Sequence, residues 1–370
     1  MKDSKSPFAS VLLTSASFAG YNIGSGFATG VEPLQFFGAW GAQYAFWGVF
    51  IAALVCIAVL SAVYVTGYEQ QFTKGNEIYS HFFGRRLGIV LDCYIYVSMI
   101  CVTLTMMSGA GATISQYSGL PAFVGAPLMG TLCIIAALLG LEKLRYILSY
   151  LCVFIVLFVL LCGGYAALTS EVGPFAGSAN VDQYAAAGKV LRANVFGFRN
   201  PYLSGVSSAG LLIGSGFAWT SATGGLCGSR KEAALSGIFS SMFYYAATAV
   251  VVYLVLTAMN HIAGAEVPLL AVVQFFVPKL SAVYSFIIVA AIFSTVSGRL
   301  FLIAERYDRG NKKLHIAIIV SITIFAAAWA SFIPFSKISN VMFSIMGAVG
   351  IILGSIVLMR FFILKRASSQ

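Results

Sequence analysis

Residues 23–28 read Ile-Gly-Ser-Gly-Phe-Ala, and residues 213–218 repeat the same six residues in the same order. The two copies lie 190 residues apart in a chain of 370, so each half of the chain carries one. Glycine destabilises a helix by about 1 kcal/mol relative to alanine, and each copy contains two glycines around a serine. The hexapeptide therefore predicts a helix interruption at the same place in each half.

The surrounding composition places these interruptions in a membrane. Apolar residues make up 59% of the chain and charged residues only 9%, with a mean hydropathy of +0.91. Soluble domains carry roughly 25% charged residues, which excludes ordinary soluble enzymes, nucleic-acid-binding proteins and disordered chains. Lipid tolerates an interrupted helix only where the break is buried in protein or lines a cavity. Both copies are therefore expected beside a cavity inside the protein.

A helix that crosses a bilayer needs about 20 apolar residues. Segment 264–278 is too short for this, and we expect a surface or re-entrant helix there. We predict one membrane domain over 1–370, with a first repeat at 7–168, an external loop at 169–199 and a second repeat at 200–364. Ten segments are long enough: 7–38, 40–65, 86–116, 122–140, 144–168, 200–228, 235–259, 280–304, 313–333 and 338–364.

The basic residues give the orientation. If the amino terminus is cytoplasmic, 16 of the 22 Lys and Arg fall on inside segments, 5 fall outside, and Arg299 lies within the eighth span. Positive charge favours the cytoplasmic side. We therefore expect a multi-pass protein of the inner (plasma) membrane with both termini in the cytoplasm. The net charge of +10 then reflects topology and does not indicate a nucleic-acid partner.

The two hexapeptides fall in predicted spans one and six, which run in opposite directions. This arrangement predicts two five-span halves related by an inverted repeat. Interrupted helices at matching positions of two halves are the sequence pointer to a transporter's central site. The alternative is that the glycines only let helices pack closely. No ATP-binding GxxxxGK[ST] loop is present in the sequence, so any transport would be gradient-driven or passive.

The residues around the first copy carry a family resemblance. Residues 19–26, Ala-Gly-Tyr-Asn-Ile-Gly-Ser-Gly, resemble the first-span signature of the amino acid–polyamine–cation (APC) superfamily, whose members have the LeuT-type fold. The longer string 24–37 is similar to a bacterial branch, the YkvI-like membrane proteins. The resemblance implies an all-α integral membrane protein with ten transmembrane helices, a 5+5 inverted repeat, and helices 1 and 6 broken.

The resemblance also implies a sodium ion between spans one and eight as the coupling ion, with no other cofactor. Phe27 stands where sodium- and chloride-dependent relatives often carry Asn, so a second sodium site is not expected. Alternatively, the span-eight hydroxyls only bond to their own helix, or a proton replaces sodium. The implied sodium ligands are the carbonyls of Gly20, Ile23 and Ala291 and the hydroxyls of Ser294 and Thr295.

The implied substrate pocket lies around the two hexapeptides. Backbone N–H groups near Ser25, Gly26 and Phe27 are expected to bind a carboxylate, and Glu32 to bind an amine, carry a proton or cap the outer half-helix. We expect Arg299 to form a structural pair with Glu305 or a lipid phosphate. The complete set of predicted substrate residues is Gly24, Ser25, Gly26, Phe27, Glu32, Phe217, Trp219 and Thr220.

Together these features predict an ion-coupled secondary transporter of a small zwitterionic solute, most simply an amino acid, moved by alternating access with sodium. The alternatives are a proton-coupled amino acid, amine or betaine transporter or exchanger, and then a non-transporting sensor or a channel. An enzyme is not expected, since the sequence has no HExxH motif and almost no acids near the predicted midplane. The identity of the solute and the oligomeric state stay open.

Overall fold

The computed structural model describes residues 7–72, 77–137, 141–307, 310–329 and 335–367, without the side chains at 7, 25, 122–123, 136–137, 141–152, 294, 302, 305–306 and 364–367. This part of the chain is almost entirely helical and contains one isolated β-bridge, between Val195 and Phe198. The helices are α1 Pro7–Asn22, α2 Ser25–Ala28, α3 Val31–Phe36, α4 Ala42–Gln70, α5 Glu77–Ser118, α6 Ala122–Ala137, α7 Leu141–Thr169, α8 Pro174–Gly177, α9 Val181–Ala186, α10 Pro201–Gly224, α11 Arg230–Thr257, α12 Met259–Ile262, α13 Pro268–Phe276, α14 Ser281–Tyr307, α15 Lys312–Trp329 and α16 Phe335–Ala367.

The lengths and apolar composition of the helices indicate a multi-pass membrane protein. Within the described residues, six helices are long and apolar enough to cross a bilayer, and α7 followed by α8 and α9 adds a seventh if that bent pair is one span. Each segment predicted as a span contains helix, and the short helix predicted within 264–278 is α13. The six are Ala42–Gln70, Glu77–Ser118, Arg230–Thr257, Pro278–Phe301, Lys312–Trp329 and Phe335–Ile363.

Helix α10 lies at the centre of the bundle, between α4 and α16. Glycines let these backbones approach closely: a methyl group on Gly205 would come within 2.7 Å of the Gly48 carbonyl oxygen of α4. On the opposite side, Gly210 lies directly against Gly347 and Gly350 of α16. Small residues at helix contacts stabilise membrane bundles through close van der Waals packing. The contacts hold α10 tightly between its two neighbours.

The first hexapeptide interrupts its helix, as predicted. Helix α1 ends at Asn22 and α2 begins at Ser25; α3 then starts after Gly30, whose φ of 79° lies in the left-handed region that favours glycine. The Thr29 carbonyl cannot receive a hydrogen bond from Pro33, which has no N–H. It accepts one instead from the backbone N–H of Leu269 in α13, at 2.8 Å. A hydrogen bond from another helix therefore stabilises the interruption of the first span.

The second hexapeptide does not interrupt its helix, and the prediction of a broken helix 6 is wrong. Helix α10 runs unbroken from Pro201 to Gly224 through residues 213–218. Its glycines serve packing: a methyl on Gly216 would lie 2.7 Å from the Phe18 ring of α1. No proline occurs from 202 to 224, so every residue there has a backbone N–H that can donate a helical hydrogen bond. The close-packing alternative holds for this copy.

Candidate functional site

The break after α1 leaves carbonyl oxygens without helical partners. The Gly24 N–H donates to the Asn22 carbonyl at 2.9 Å, and the Ile23 N–H donates to the Ala19 carbonyl at 2.7 Å. Consequently, among the described residues no hydrogen bond reaches the carbonyl oxygen of Gly20 or of Ile23. Unpaired carbonyls at a helix end are satisfied by side chains, water or ligands. The break therefore offers two oxygen atoms at the positions predicted to bind sodium.

Helix α14 places Thr295 against this break. A methyl group on Gly24 would lie 3.1 Å from the Thr295 hydroxyl oxygen. That hydroxyl is buried and has no hydrogen-bond partner among the described residues. In contrast, the hydroxyl of Thr103 donates to the Met99 carbonyl of its own helix at 2.9 Å. The alternative of bonding within the helix is thus wrong for Thr295, while the Ser294 side chain lies outside the described residues.

These oxygens fit a monovalent cation. Hard cations take carbonyl and hydroxyl oxygens as ligands, and a buried hydroxyl without a partner is unusual unless something else binds it. Ala291 is buried one turn before Thr295 on α14. Arg299 lies one turn after Thr295 and donates to its carbonyl at 3.5 Å. Its positive charge opposes cation binding, so sodium at this site stays a prediction.

Glu32 is buried beside α2. Its Oε1 accepts a hydrogen bond from the Tyr244 hydroxyl of α11 at 2.7 Å. A methyl on Gly26 would lie 3.1 Å from the other carboxylate oxygen, and the rings of Phe27 and Tyr244 are 5.4 Å apart. Among the described residues no Lys or Arg forms an ion pair with Glu32. The structure therefore brings Gly24, Gly26, Phe27 and Glu32 together at the first interruption.

The predicted residues of the second copy lie elsewhere. The ring of Phe217 packs against Tyr79 at 5.2 Å and against Phe82 at 6.2 Å, both in the first turns of α5. The Thr220 hydroxyl donates to the Gly216 carbonyl of its own helix at 2.8 Å. Phe217 is fully buried among these aromatic rings. The Phe217 ring packs against α5 and the Thr220 hydroxyl bonds within α10, so these contacts do not bring either side chain to the first interruption.

Trp219 belongs to an aromatic stack beneath the break. Its ring stacks on Tyr21 of α1, with centroids 5.1 Å apart and an angle of 10° between the planes. The Arg299 guanidinium lies 5.5 Å from the centroid of the same Tyr21 ring. The Trp219 indole nitrogen is buried and has no hydrogen-bond partner among the described residues. The stack connects α1, α10 and α14 at one level of the bundle.

A small cavity opens next to this stack. Its volume is about 20 Å³, which is room for one or two waters. Arg299 is the charged residue in its wall, and only 5% of Arg299 is exposed. The wall includes Tyr21 of α1, Ser98 and Met99 of α5, Ser215 of α10, Arg299 of α14 and Met346 of α16.

Part of this wall could be found from the sequence. The buried charge of Arg299 signals a special site, because ionisable residues within a span are costly, but the side chain of its expected partner Glu305 lies outside the described part of the chain. Ser98 and Ser215 carry no signal in isolation, since serines are common in packed membrane helices. Only the packing of five helices in space brings them to one cavity.

Two proteins of Bacillus subtilis resemble parts of the sequence, while no family model matches the chain. A segment of 108 residues is 26% identical to the "Uncharacterized membrane protein YkvI", covering 29% of this chain and 31% of that protein. A segment of 129 residues is 30% identical to the "Uncharacterized protein YyaD", covering 34% of this chain and 35% of that protein. The chain thus matches about a third of the length of each relative.

Solved structures resemble the fold of nearly the whole chain. MhsT in complex with L-phenylalanine superposes with a TM-score of 0.58 at 14% identity, over 94% of this chain and 87% of that chain. A Na⁺-coupled sialic acid symporter gives 0.56 at 12% identity, over 92% and 76%. A manganese transporter of Eremococcus coleocola gives 0.50 at 11% identity, over 98% and 94%. These structural neighbours are LeuT-fold transporters rather than enzymes, and the chain shares their fold.

Proposed function

We propose that the protein is a sodium-coupled secondary transporter of a small zwitterionic solute, most simply an amino acid, working by alternating access. It would cross the inner membrane ten times with both termini in the cytoplasm, as one domain built from inverted repeats at 7–168 and 200–364 joined by the external loop 169–199. The fold shared with LeuT-type transporters and the six long apolar helices support this assignment.

The observation that carries the proposal is the group of unsatisfied oxygens between α1 and α14. The Gly20 and Ile23 carbonyls and the buried Thr295 hydroxyl have no hydrogen-bond partners among the described residues. Buried polar groups normally have partners. Sodium bound by these oxygens, with Ala291 and Ser294 completing the set, would supply a positive charge that links α1 to α14. That link would couple ion binding to the position of the first span.

Two parts of the protein can then move relative to each other. The hydroxyl of Ser215 in α10 donates to Asn22 at the end of α1, at 2.7 Å. This bond joins the first and sixth predicted spans into one unit. Helix α14 packs against α5 and α6 on the other side of the cation site. We expect the α1–α10 unit to rock against this second group, exposing the site to each side in turn.

The solute would bind next to the cation site. The start of α2 offers the backbone N–H groups of Ser25, Gly26 and Phe27, which lack acceptors within a four-residue helix. Glu32 lies beside α2 and can receive an amine. Phe217, Trp219 and Thr220 would act less directly, through the position of α10, since their side chains pack outside the cavity.

Equilibrium binding of radioactive sodium to the purified protein tests the proposal without knowledge of the solute. Thr295→Ala removes the unpartnered hydroxyl, and we expect sodium to bind about tenfold or more weakly, as for loss of a hydrogen bond or ligand to a charged group. Thr295→Ser keeps the hydroxyl and should bind nearly as the wild type does. Thr103→Ala, which removes a hydroxyl bonded within its own helix, should also bind normally. Equal sodium affinity in Thr295→Ala and wild type would contradict the assignment.

One observation favours proton coupling as a second candidate. Glu32 is a buried carboxylate held by the Tyr244 hydroxyl, without an ion-pair partner among the described residues. Intramembrane carboxylates of this kind serve as proton carriers in transporters. Uptake driven by a pH gradient in sodium-free buffer, and abolished in Glu32→Gln, would favour this candidate. Uptake that needs sodium and survives in Glu32→Gln would exclude it.

A further inference from the structure

We propose that Arg299 binds a carboxylate of the transported solute in the cavity between α1, α5, α10, α14 and α16. This role rests on the proposed transport function and names the chemical class of the solute: an organic acid or amino acid, and not an amine or an amide.

The charge of Arg299 is buried. The residue lies within the predicted eighth span, five residues before its end at 304, and only 5% of its surface is exposed. Removing a guanidinium from water is strongly unfavourable unless an opposite charge or hydrogen-bond acceptors replace the water. Among the described residues, Arg299 donates to the Thr295 carbonyl at 3.5 Å, which uses one of its five N–H donors. The Tyr21 ring adds a cation–π contact.

No carboxylate in the described part of the chain forms an ion pair with this guanidinium. Among the described residues, the ion pairs join Arg192 to Asp182 and Arg230 to Glu69, and none involves Arg299. Glu305 lies six residues further along α14. The side chain of Glu305 lies outside the described residues, so a pair with Arg299 stays a prediction. Within the described part of the protein, the charge is left for a ligand to neutralise.

The lining of the cavity suits a carboxylate. Arg299 forms part of its wall together with the hydroxyl-bearing residues Ser98 and Ser215. A guanidinium presents a planar fork of N–H donors that fits the two oxygens of a carboxylate, and the volume of about 20 Å³ suits a group of that size. Met99 and Met346 form other parts of the wall, and their flexible side chains can move to admit the rest of the solute.

Matched pairs of compounds test this role of Arg299. The probes are L-phenylalanine with L-phenylalaninamide, and L-leucine with L-leucinamide, so that each pair differs only in the α-carboxylate. They are added to the purified full-length protein while its melting temperature is measured and to proteoliposomes while uptake is measured. The proteins are wild type, Arg299→Lys, Arg299→Gln and the control Arg230→Gln. Arg230 is half-exposed and pairs with Glu69, so its loss removes a charge of the same kind away from the cavity.

We expect at least one acid to bind and be taken up by the wild type at least tenfold better than its matched compound. Arg299→Gln should lose this preference, Arg299→Lys should keep part of it, and Arg230→Gln should keep it all. If Arg299→Gln does not fold, as judged by gel filtration, the preference of the wild type and of Arg299→Lys still decides the question: equal binding of both members of every pair overturns the inference.

Failure of the Arg299 role and failure of transport give different results. Binding and uptake of the probes with no preference for the acid, or a preference unchanged in Arg299→Gln, would overturn the role of Arg299 and leave the transport function standing. Absence of uptake for all four probes and for a wider set of amino acids, in the presence of sodium, would overturn the transport function itself and the role of Arg299 with it.

Discussion

The two copies of one hexapeptide have different structures in this protein. Residues 23–28 interrupt a helix and carry the candidate site, whereas residues 213–218 lie within the continuous helix α10. The similarity extends beyond the hexapeptide towards the amino terminus, because residues 19–28 and 209–218 are identical at eight of ten positions. Local helix propensity is therefore nearly the same in both, and it does not decide which helix breaks.

The residues on the carboxyl-terminal side of each copy differ. Gly30 and Pro33 come after the first copy, and Thr220 and Thr223 stand at the matching positions after the second. Gly30 adopts a left-handed backbone conformation. Pro33 has no N–H to donate to the Thr29 carbonyl, so this carbonyl accepts a hydrogen bond from the backbone N–H of Leu269 in another helix. Thr220 lies within an unbroken helix. An interruption thus needs both poor helix formers and neighbouring elements that satisfy the exposed backbone groups.

The largest expected effect comes from closing that interruption. Gly30→Ala forces a left-handed backbone on an L-residue, which costs about 1–2 kcal/mol. It also places a methyl 3.0 Å from the Leu269 backbone nitrogen, adding about 1–3 kcal/mol of overpacking. We expect the free energy of unfolding to fall by about 3 kcal/mol in thermal denaturation. Gly264→Ala has a similarly positive φ but open space around it, so it should cost about 1 kcal/mol; equal losses would contradict the packing argument.

A matched pair of substitutions tests the two copies directly. Gly24→Ala puts a methyl 2.9 Å from Met106 and 3.1 Å from the Thr295 hydroxyl, and should destabilise by about 1–2 kcal/mol. Gly214→Ala meets its nearest neighbour, Gly350, at an ordinary 3.7 Å. Because alanine is the better helix former, it should stabilise by up to about 1 kcal/mol. Melting temperatures that fall equally in both variants would show that residues 213–218 are not an ordinary helix.

A smaller effect is expected where the second copy contacts the end of α1. Ser215→Ala removes the 2.7 Å hydrogen bond to Asn22 and should cost about 1 kcal/mol. The control Ser355→Ala removes an exposed hydroxyl bonded within its own helix at 2.8 Å and should leave the melting temperature unchanged. If Ser215→Ala is as stable as wild type, the bond does not join α1 to α10.

The sequence is sufficient to predict the positions of the helices and the first break. Apolar segments and their turn residues anticipate α4, α13 and α16, and the string around Gly24 indicates the interruption. Continuity of α10 is not predictable in the same way, because it depends on Phe18 and on the backbones of α4 and α16 lying against its glycines. Those contacts join residues far apart in the chain.

The candidate site is predictable only in outline. Thr295 and Gly20 come from the resemblance of their surrounding residues, but the absence of a partner for the Thr295 hydroxyl among the described residues is visible only in three dimensions. Arg299 is evident as a buried charge, and its cavity is not. A single sequence places residues along a helix; it does not say which faces of five helices meet.

The most direct test of sodium-coupled transport is uptake of radiolabelled amino acids into proteoliposomes containing the purified protein. An inward sodium gradient is compared with an equal potassium gradient. We predict that at least one amino acid accumulates with sodium and fails to accumulate with potassium, and that Thr295→Ala removes the difference while Thr295→Ser retains it. Uptake that is the same in both gradients for every amino acid would contradict sodium coupling.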